Sequence, residues 1–434
     1  MTFSLVEQWV RMNIFCAGIG GIGLSAYAAY QKASGHRVSG SDQVESDLML
    51  DLRRQSMEIS LNQDGSKVPK DTDLFVYTLA LPEDHPERVR AKELEIPQET
   101  YFQALGNLMR ESGKTCIAIS GTHGKSSTTA MAAKVFIDAE LDPSVILGTK
   151  TQDLDGKNWR KGGGEYFIVE ACEYQRSFLH ISPKILLITN ITGDHFDAYK
   201  DMADYEHAFE ELISKLPSDG LLISHGSDPA CRALLEKAPC KTIDADSFPL
   251  PALQIPGKHM QGNARLVLAL AKHVKLENPE QSLKDYRGCW RRTEIKGTSK
   301  EGALVIDDYG HHPNEVKATL LGLKEAYAGR RLICVFQPHT HDRVLKLYDQ
   351  FLTAFSAADL VIIPNIYAAR SDRDQKQVDP KKFVEDIAKG SSTEALYGES
   401  FEKTLEMLRK ALQQNDVVVT MGAGDIWKVA EALL

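Results

Sequence analysis

No apolar run approaches the roughly 18 residues that a membrane-crossing helix needs, so no membrane partner is expected. The N-terminal stretch MTFSLVEQWVRMNIFCAGIGG sets Glu7 and Arg11 among its apolar positions, which does not suit a signal peptide. Cysteine is sparse: the seven (Cys16, Cys116, Cys172, Cys231, Cys240, Cys289, Cys334) are odd in number, scattered and never spaced CxxC. That argues against a disulfide framework or a zinc knuckle and for free thiols in a reducing, cytoplasmic setting. Long Lys/Arg runs are also missing, and 60 acidic against 51 basic residues give a net charge of -9. Bulk nucleic-acid binding is therefore not expected, while a small local phosphate site remains open. Neither a fixed-period repeat nor a low-complexity tract is visible. What is present is ordinary globular material: 434 residues, 43% hydrophobic and 26% charged, enough for about three domains of roughly 150 residues.

Three times a short apolar run leads into glycines and then into a helical pattern, the order of a parallel α/β unit. Asn13 to Ala17 runs into GIGGIG at 18–23, Cys116 to Ile119 into SGTHGKSSTT at 120–129, and Val417 to Met421 into GAGD at 422–425. Further β-like runs are Leu74 to Tyr77, Tyr166 to Val169, Ile185 to Thr189, Leu304 to Ile306, Leu332 to Phe336 and Leu360 to Ile363. They alternate with helical patterns at 102–111, 201–215, 314–328 and 343–357, which predicts an α/β fold with mainly parallel sheets. Domain limits are expected near 107, before Gly113, and near 297, in the polar stretch GTSKEG. The resulting pieces are 1–107, 108–297 and 298–434.

Gly18, Gly20 and Gly23 form GxGxxG after a strand, and Asp42 in SGSD follows at the end of a second one. The glycines permit a tight turn and close backbone approach to a diphosphate, and an acid at that spacing suits a ribose hydroxyl. The run Gly121-Thr122-His123-Gly124-Lys125-Ser126-Ser127 is a sharper signal. Its backbone N–H groups can cradle phosphates, Lys125 can reach the β and γ phosphates of ATP, and Ser126 can ligate Mg²⁺. The general P-loop spacing asks for glycine where this chain has Ile119, so the loop is a shortened variant.

Two acidic clusters, Glu170-Ala171-Cys172-Glu173 and Asn190 to Asp197 (NITGDHFD), leave strands whose C-termini are where ligands gather in parallel sheets. Carboxylate and imidazole there could hold a hard divalent cation beside ATP phosphates, which nominates Glu170 and His195. Asp307 to Pro313 (DDYGHHP) leaves another strand directly before a helix; adjacent strand residues face opposite ways, so phosphate or substrate contacts suit it better than a metal cage. Gln337-Pro338-His339 follows the strand 332–336, with Arg343 one helical turn on.

Taken in order, GTHGKSSTT, the glutamate of VEACE, TNITGDH, GKH…N at 257–263, Arg291-Arg292 and DDYGHHPNEV resemble the Mur ligases, ATP-dependent amide-forming enzymes of peptidoglycan synthesis. The likeness spans essentially the whole chain. It implies a Rossmann-like N-terminal domain for the UDP end of the substrate, a central P-loop ATPase domain, and a C-terminal Rossmann-like domain that brings the amino acid. The implied reaction phosphorylates the carboxylate of UDP-N-acetylmuramate with ATP and Mg²⁺, after which the amine of L-alanine attacks the acyl phosphate. A monomer or homodimer is expected.

By position, the resemblance gives Lys125 and Ser126 to the phosphates and Mg²⁺, with Glu170 and His195 at the metal. Asn263, Arg292 and Asp308 would contact ATP, while Tyr309, His311 and Arg343 would lie toward the amino acid or the reacting carboxylate. His123 would face the muramoyl group, and Gly18, Gly20, Gly21, Gly23, Ser25 and Asp42 would hold UDP.

Departures from the family pattern are Ser126 for threonine, Met260 and the rest of His259-Met260-Gln261-Gly262-Asn263 for His-Asn-x-x-Asn, Thr293 for phenylalanine, Thr78-Leu79-Ala80 for Ser-Ser-Ala, and Thr340 for an arginine of some members. Other readings are a peptidoglycan-recycling ligase that adds a preformed tripeptide, an NAD-dependent dehydrogenase suggested by GxGxxG, and a nucleotide-binding regulator without ligase activity, suggested by Met260 and Thr293. The lysine-bearing loop speaks against hydride transfer, which has no need of it.

Overall fold

The computed structural model describes residues 11–193, 198–367 and 377–434. Three sheets follow one another along the chain. The first contains β1 (Asn13–Ala17), β2 (Arg37–Ser41), β3 (Glu58–Ser60), β4 (Leu74–Tyr77) and β5 (Gln98–Thr100), in the order β3-β2-β1-β4-β5. All its pairings are parallel, and the order reverses between β1 and β4, the switch point at which α/β sheets bind ligands.

The second sheet contains β6 (Thr115–Ser120), β7 (Ser144–Thr151), β8 (Lys157–Arg160), β9 (Tyr166–Glu170), β10 (Ile185–Ile188), β11 (Leu221–Ser224) and β12 (Lys241–Asp244). Its order is β12-β11-β10-β6-β9-β7-β8, parallel except for the β7–β8 edge. The third contains β13 (Glu294–Thr298), β14 (Leu304–Asp308), β15 (Leu332–Phe336), β16 (Leu360–Ile363), β17 (Glu394–Tyr397) and β18 (Val417–Met421). Its order is β13-β14-β18-β15-β16-β17, with only the β13 edge antiparallel.

Central strands such as β10 and β18 are buried along their length, as near-continuous apolar runs require when helices cover both faces. Phe15 stacks on Phe75 at 5.7 Å between β1 and β4 in the first sheet. In the third, Phe336 packs against Phe351 and Phe355 at 5.6 and 5.3 Å.

Two compact units result: Met1–Pro249 with Arg265–Ser282, and Leu250–Ala264 with Leu283–Leu434. In the first, the helix Ile22–Ala33 joins the two sheets, since its Tyr30 stacks on Phe167 of β9 at 5.3 Å. No helix among the described residues is long and apolar enough to cross a membrane.

Some local expectations change. The limit at 107 falls inside the helix Tyr101–Glu111, and the limit at 297 falls inside β13. In GTSKEG, Gly297 and Thr298 end β13 and Ser299 to Gly302 make a hairpin turn: Ser299 N–H donates to Ala303 O and Gly302 N–H to Ser299 O, which returns the chain antiparallel along β14. The helix expected at 343–357 is two short ones, His341–Lys346 and Tyr348–Leu352, divided at Leu347 (φ -113, ψ 16).

Candidate active site

The first glycine loop leaves β1 and enters the helix Ile22–Ala33, with Gly21 as its N-cap. Gly18 sits at φ +84, and a Cβ there would meet Thr78 Cγ2 at 2.4 Å, so the turn tolerates no side chain against the end of β4. Its N–H and that of Ile19 both donate to Ser41 O on β2. Asp42 Oδ2 accepts from Gly20 N–H at 2.8 Å and Oδ1 from Gln43 N–H at 2.7 Å, so the expected ribose acid also fastens the loop.

Ser25, expected at the UDP site, lies one turn into this helix. It is buried, its hydroxyl donates to Ile22 O at 3.0 Å, and Asn158 Nδ2 approaches that hydroxyl at 3.3 Å and donates to Ile22 O at 2.6 Å. The hydroxyl thus serves the junction of helix and β8. Gly23 lies against the Tyr101 ring, which is buried near Glu170 and Cys172; burial and those two neighbours push its phenol up. Tyr101 therefore stands between the glycine-loop helix and the acidic cluster of the second sheet.

The second loop leaves β6 at its own switch point, between β10 and β9. Gly121 sits at φ +128, and a Cβ there would strike Thr189 Oγ1 at 2.1 Å. Asn190 fastens the loop: its carbonyl accepts from Thr122 N–H at 3.0 Å and its Oδ1 from His123 N–H at 3.1 Å. His123 O in turn accepts from Thr189 Oγ1 and Asn190 Nδ2 at 2.6 and 3.0 Å. Gly124, left-handed at φ +81, is the N-cap of the helix Lys125–Asp138, and Thr128 N–H is the donor that returns to its carbonyl. The helix's leading N–H groups, from Lys125 to Ser127, lack intrahelical acceptors, which is the arrangement that takes phosphate oxygens.

Lys125 is not the exposed loop lysine that a phosphate-binding loop first suggests. Its side chain is 13% exposed, and Nζ donates to Gly121 O at 2.7 Å, Thr122 O at 2.9 Å and Glu173 Oε1 at 3.0 Å. Burial is the largest single influence and opposes its charge, but Glu173, Cys172 and Glu170 together outweigh it and hold the lysine pKa above its ordinary value. Ser126 Oγ donates to Glu170 Oε1 at 3.0 Å, and Glu170 Oε2 accepts from Gly148 N–H at 2.8 Å.

Hydroxyl and carboxylate oxygens side by side are hard donors of the kind Mg²⁺ takes, usually together with substrate phosphates and water rather than in an all-protein cage. Accordingly, no group of three or more His, Cys, Asp or Glu side chains gathers into a cation site among the described residues. His195 lies outside the described residues. Burial, and then the Glu173 carboxylate, push the neighbouring Cys172 thiol up to about 12.

In the second unit, Asp308 ends β14, accepting from Thr293 N–H at 2.7 Å, Thr293 Oγ1 at 3.0 Å and Gly310 N–H at 2.7 Å. Burial pushes its carboxyl up to about 6 against the opposing pull of Arg292. Thr293, where the family pattern has an aromatic ring, therefore supplies a hydroxyl that orients Asp308.

Arg292 lies 4.8 Å over the Tyr309 ring. Tyr309, His311, His339 and Tyr367 form a row of edge and stacking contacts, with centroids 5.5, 5.9 and 5.1 Å apart. The row runs along the C-terminal ends of β14 and β15, so the DDYGHHP and QPH clusters do converge. Thr340, at φ 63, caps the helix that carries Arg343 by accepting Arg343 N–H at 3.3 Å. Asn263 and Met260 are both buried on the helix Lys258–His273.

Two residues that the sequence offered only as members of a motif acquire a definite place. Glu173, fully buried, holds Lys125. Arg291, also buried, donates to Asp307 Oδ2 at 2.8 Å, Gly424 O at 2.9 Å and Gly422 O, tying the GAGD loop to β14. Adjacent arginines and paired acids do not reveal which member turns inward.

Known proteins share this fold. Residues 13–112 match the Mur ligase family catalytic domain, 119–249 the Mur ligase middle domain, and 291–424 the Mur ligase glutamate ligase domain. The UDP-N-acetylmuramate--L-alanine ligase of Clostridium novyi (strain NT) is 37% identical over 465 aligned positions, covering 100% of this chain and 99% of that protein. The protein of the same name from Clostridium acetobutylicum is 36% identical, with 100% of each chain covered. The solved structure of UDP-N-acetylmuramate-alanine ligase MurC from Thermotoga maritima superposes with a TM-score of 0.82 at 28% identity, covering 98% of each chain. The murein peptide ligase of Psychrobacter arcticus, at 20% identity and TM-score 0.72 over 97% of this chain and 98% of that one, shares the fold. With three consecutive domain matches and full-length relatives above 30% identity, this chain belongs to the Mur ligase family.

Proposed function

We propose that the protein joins L-alanine to the carboxylate of UDP-N-acetylmuramate at the expense of ATP, a cytoplasmic step in peptidoglycan precursor synthesis. One observation carries this reading: a single compact unit holds two glycine-rich loops at the switch points of two parallel sheets, and only the second has a buried lysine and a Ser126–Glu170 oxygen pair. One loop is then free for the UDP diphosphate while the other handles ATP.

In this reading a muramoyl carboxylate oxygen attacks the γ-phosphorus and ADP leaves, giving an acyl phosphate. The alanine amine then attacks its carbonyl carbon, inorganic phosphate departs, and the amine loses a proton. The first step converts a poor acylating agent into a good one. Lys125 and the N–H groups that open the helix Lys125–Asp138 would stabilise charge spread over the transferred phosphoryl oxygens. Ser126 and Glu170, with His195, would hold Mg²⁺, which when bound supplies charge neutralisation at the phosphates. Gly18, Gly20, Gly21, Gly23, Ser25 and Asp42 would hold the UDP end, and His123 would face the muramoyl group. Asn263, Arg292 and Asp308 would contact ATP, and Tyr309, His311 and Arg343 the amino acid.

ADP release with UDP-N-acetylmuramate, measured against a panel of amino acids and the tripeptide, tests the proposal. Release with no amino acid, or only with the tripeptide, would contradict it.

A further inference from the structure

Glu173 takes no part in the phosphate or cation contacts above, yet several features converge on it. Its side chain is 0% exposed, and its two oxygens lie 3.0 and 2.8 Å from Lys125 Nζ. The backbone beyond it passes through Gln175 and Arg176 at φ 50 and 56, two successive non-glycine residues in the left-handed region. Such strain persists where the surroundings over-determine the conformation.

Those surroundings are specific. Arg176 is clamped to Asp204 and Glu211 at 2.6 Å each on the helix Met202–Ser214, and its guanidinium lies 5.7 Å from the Tyr199 ring centre. Tyr199 donates its hydroxyl to Glu173 O and packs edge-on against Tyr205 at 4.8 Å. Tyr205 OH is 2.9 Å from Thr122 Oγ1, inside the phosphate loop. The chain segment that carries Glu173 and the loop that carries Lys125 are thus braced against the same pair of tyrosines.

A carboxylate buried this deeply is costly unless it is paired, and a lysine ammonium on its four-carbon stem is otherwise mobile. We infer that Glu173 is a positioning residue for phosphoryl transfer: held by the Arg176 turn, its carboxylate fixes the Lys125 ammonium beneath the loop, in the place from which it meets the transferred phosphoryl group. The inference rests on the ATP-dependent reading above. Nucleotide affinity, carried largely by the helix-opening N–H groups, should depend little on Glu173, whereas turnover should depend on it strongly.

The test uses the full chain with Glu173→Gln and Glu173→Asp. Three quantities are measured: affinity for a non-hydrolysable ATP analogue by calorimetry, kcat from ADP release, and the rate at which acetic anhydride labels Lys125 without nucleotide, read by peptide mass spectrometry. For Glu173→Gln, kcat is expected to fall about 100-fold, as when one charge-stabilising group is lost, with analogue affinity changed by less than about threefold. Lys125 should label several-fold faster than in the wild type. Glu173→Asp, which keeps the charge on a shorter stem, should recover part of kcat.

Unchanged labelling with unchanged kcat overturns the inference. So does tighter analogue binding at full kcat, which would make Glu173 a competitor of the nucleotide. A kcat loss that only tracks loss of folded protein, with aspartate no better than glutamine, also overturns it. A wild-type chain that releases no ADP overturns the ATP-dependent reading instead, and the labelling comparison still decides whether Glu173 holds Lys125.

Discussion

Replacing Lys125 by alanine removes a side chain that is both phosphate ligand and counter-ion, and the second role makes the change a structural one. Glu173 is 0% exposed, and the paired lysine only 13%. Without the lysine, the carboxylate is left in a dry site beside Glu170 and the thiol of Cys172. Breaking a buried ion pair from one side costs about 3–5 kcal/mol, where loss of a surface pair costs at most about 1. Lys125→Ala is therefore expected to abolish ATP-dependent turnover and also to destabilise the first unit by about 3–5 kcal/mol.

Because the chain forms two compact units, native-state hydrogen exchange at β6 and β9 reads this loss better than a single melting curve. The double variant Lys125→Met, Glu173→Gln should regain most of the stability, since neither charge remains, yet stay inactive. A single variant within about 1 kcal/mol of wild type, or a double variant no more stable than the single, would refute the buried-pair argument.

Glu170→Gln removes the charge of one hard ligand, and its Mg²⁺ requirement for turnover should rise by about 10–100-fold; an unchanged Mg²⁺ titration would return Glu170 to a structural role. Glu87, buried against Ser41 and Gln63, has its carboxyl pushed by burial from an ordinary 4.5 up to about 7. The folded state then binds the extra proton between those two values, so stability should fall as pH rises through about 4.5 to 7, by up to about 3 kcal/mol, and Glu87→Gln should flatten that slope. Equal slopes in the two proteins would contradict this. Arg291→Ala should cost the second unit about 3–5 kcal/mol by stranding Asp307, and exchange at β14 and β18 unchanged from wild type would oppose it.

Much of the architecture was legible because central strands of parallel sheets are continuous apolar runs. Leu74–Tyr77, Leu332–Phe336, Leu360–Ile363 and Val417–Met421 stand as strands with the limits expected from the sequence. Edge strands were not legible. β12, largely exposed, reads KTID, and β13 reads EIKGT, so each needs its neighbour to declare it. The same asymmetry holds in the site. Gly121 to Ser126 announces itself through backbone chemistry confined to adjacent residues, and the Ser126–Glu170 contact follows from the sheet order β6-β9. The pairing of Lys125 with Glu173 depends on a left-handed turn at Gln175 and Arg176, positions that carry no glycine to signal it. For a related reason the contacts of Ser25 with Asn158 and its own helix could not be read from the sequence, since only the tertiary arrangement brings β8 against that helix.

The central claim, ATP-dependent addition of one small amino acid to a UDP-linked carboxylate, is tested most directly by kcat/KM for L-alanine, glycine, L-serine and the tripeptide, each with UDP-N-acetylmuramate and ATP. L-Alanine should be preferred, and glycine, lacking one methyl group, should be slower by about 10–200-fold, the range that a single methylene's 1–3 kcal/mol allows. A preference for the tripeptide, or ADP release independent of any amino acid, would contradict the account.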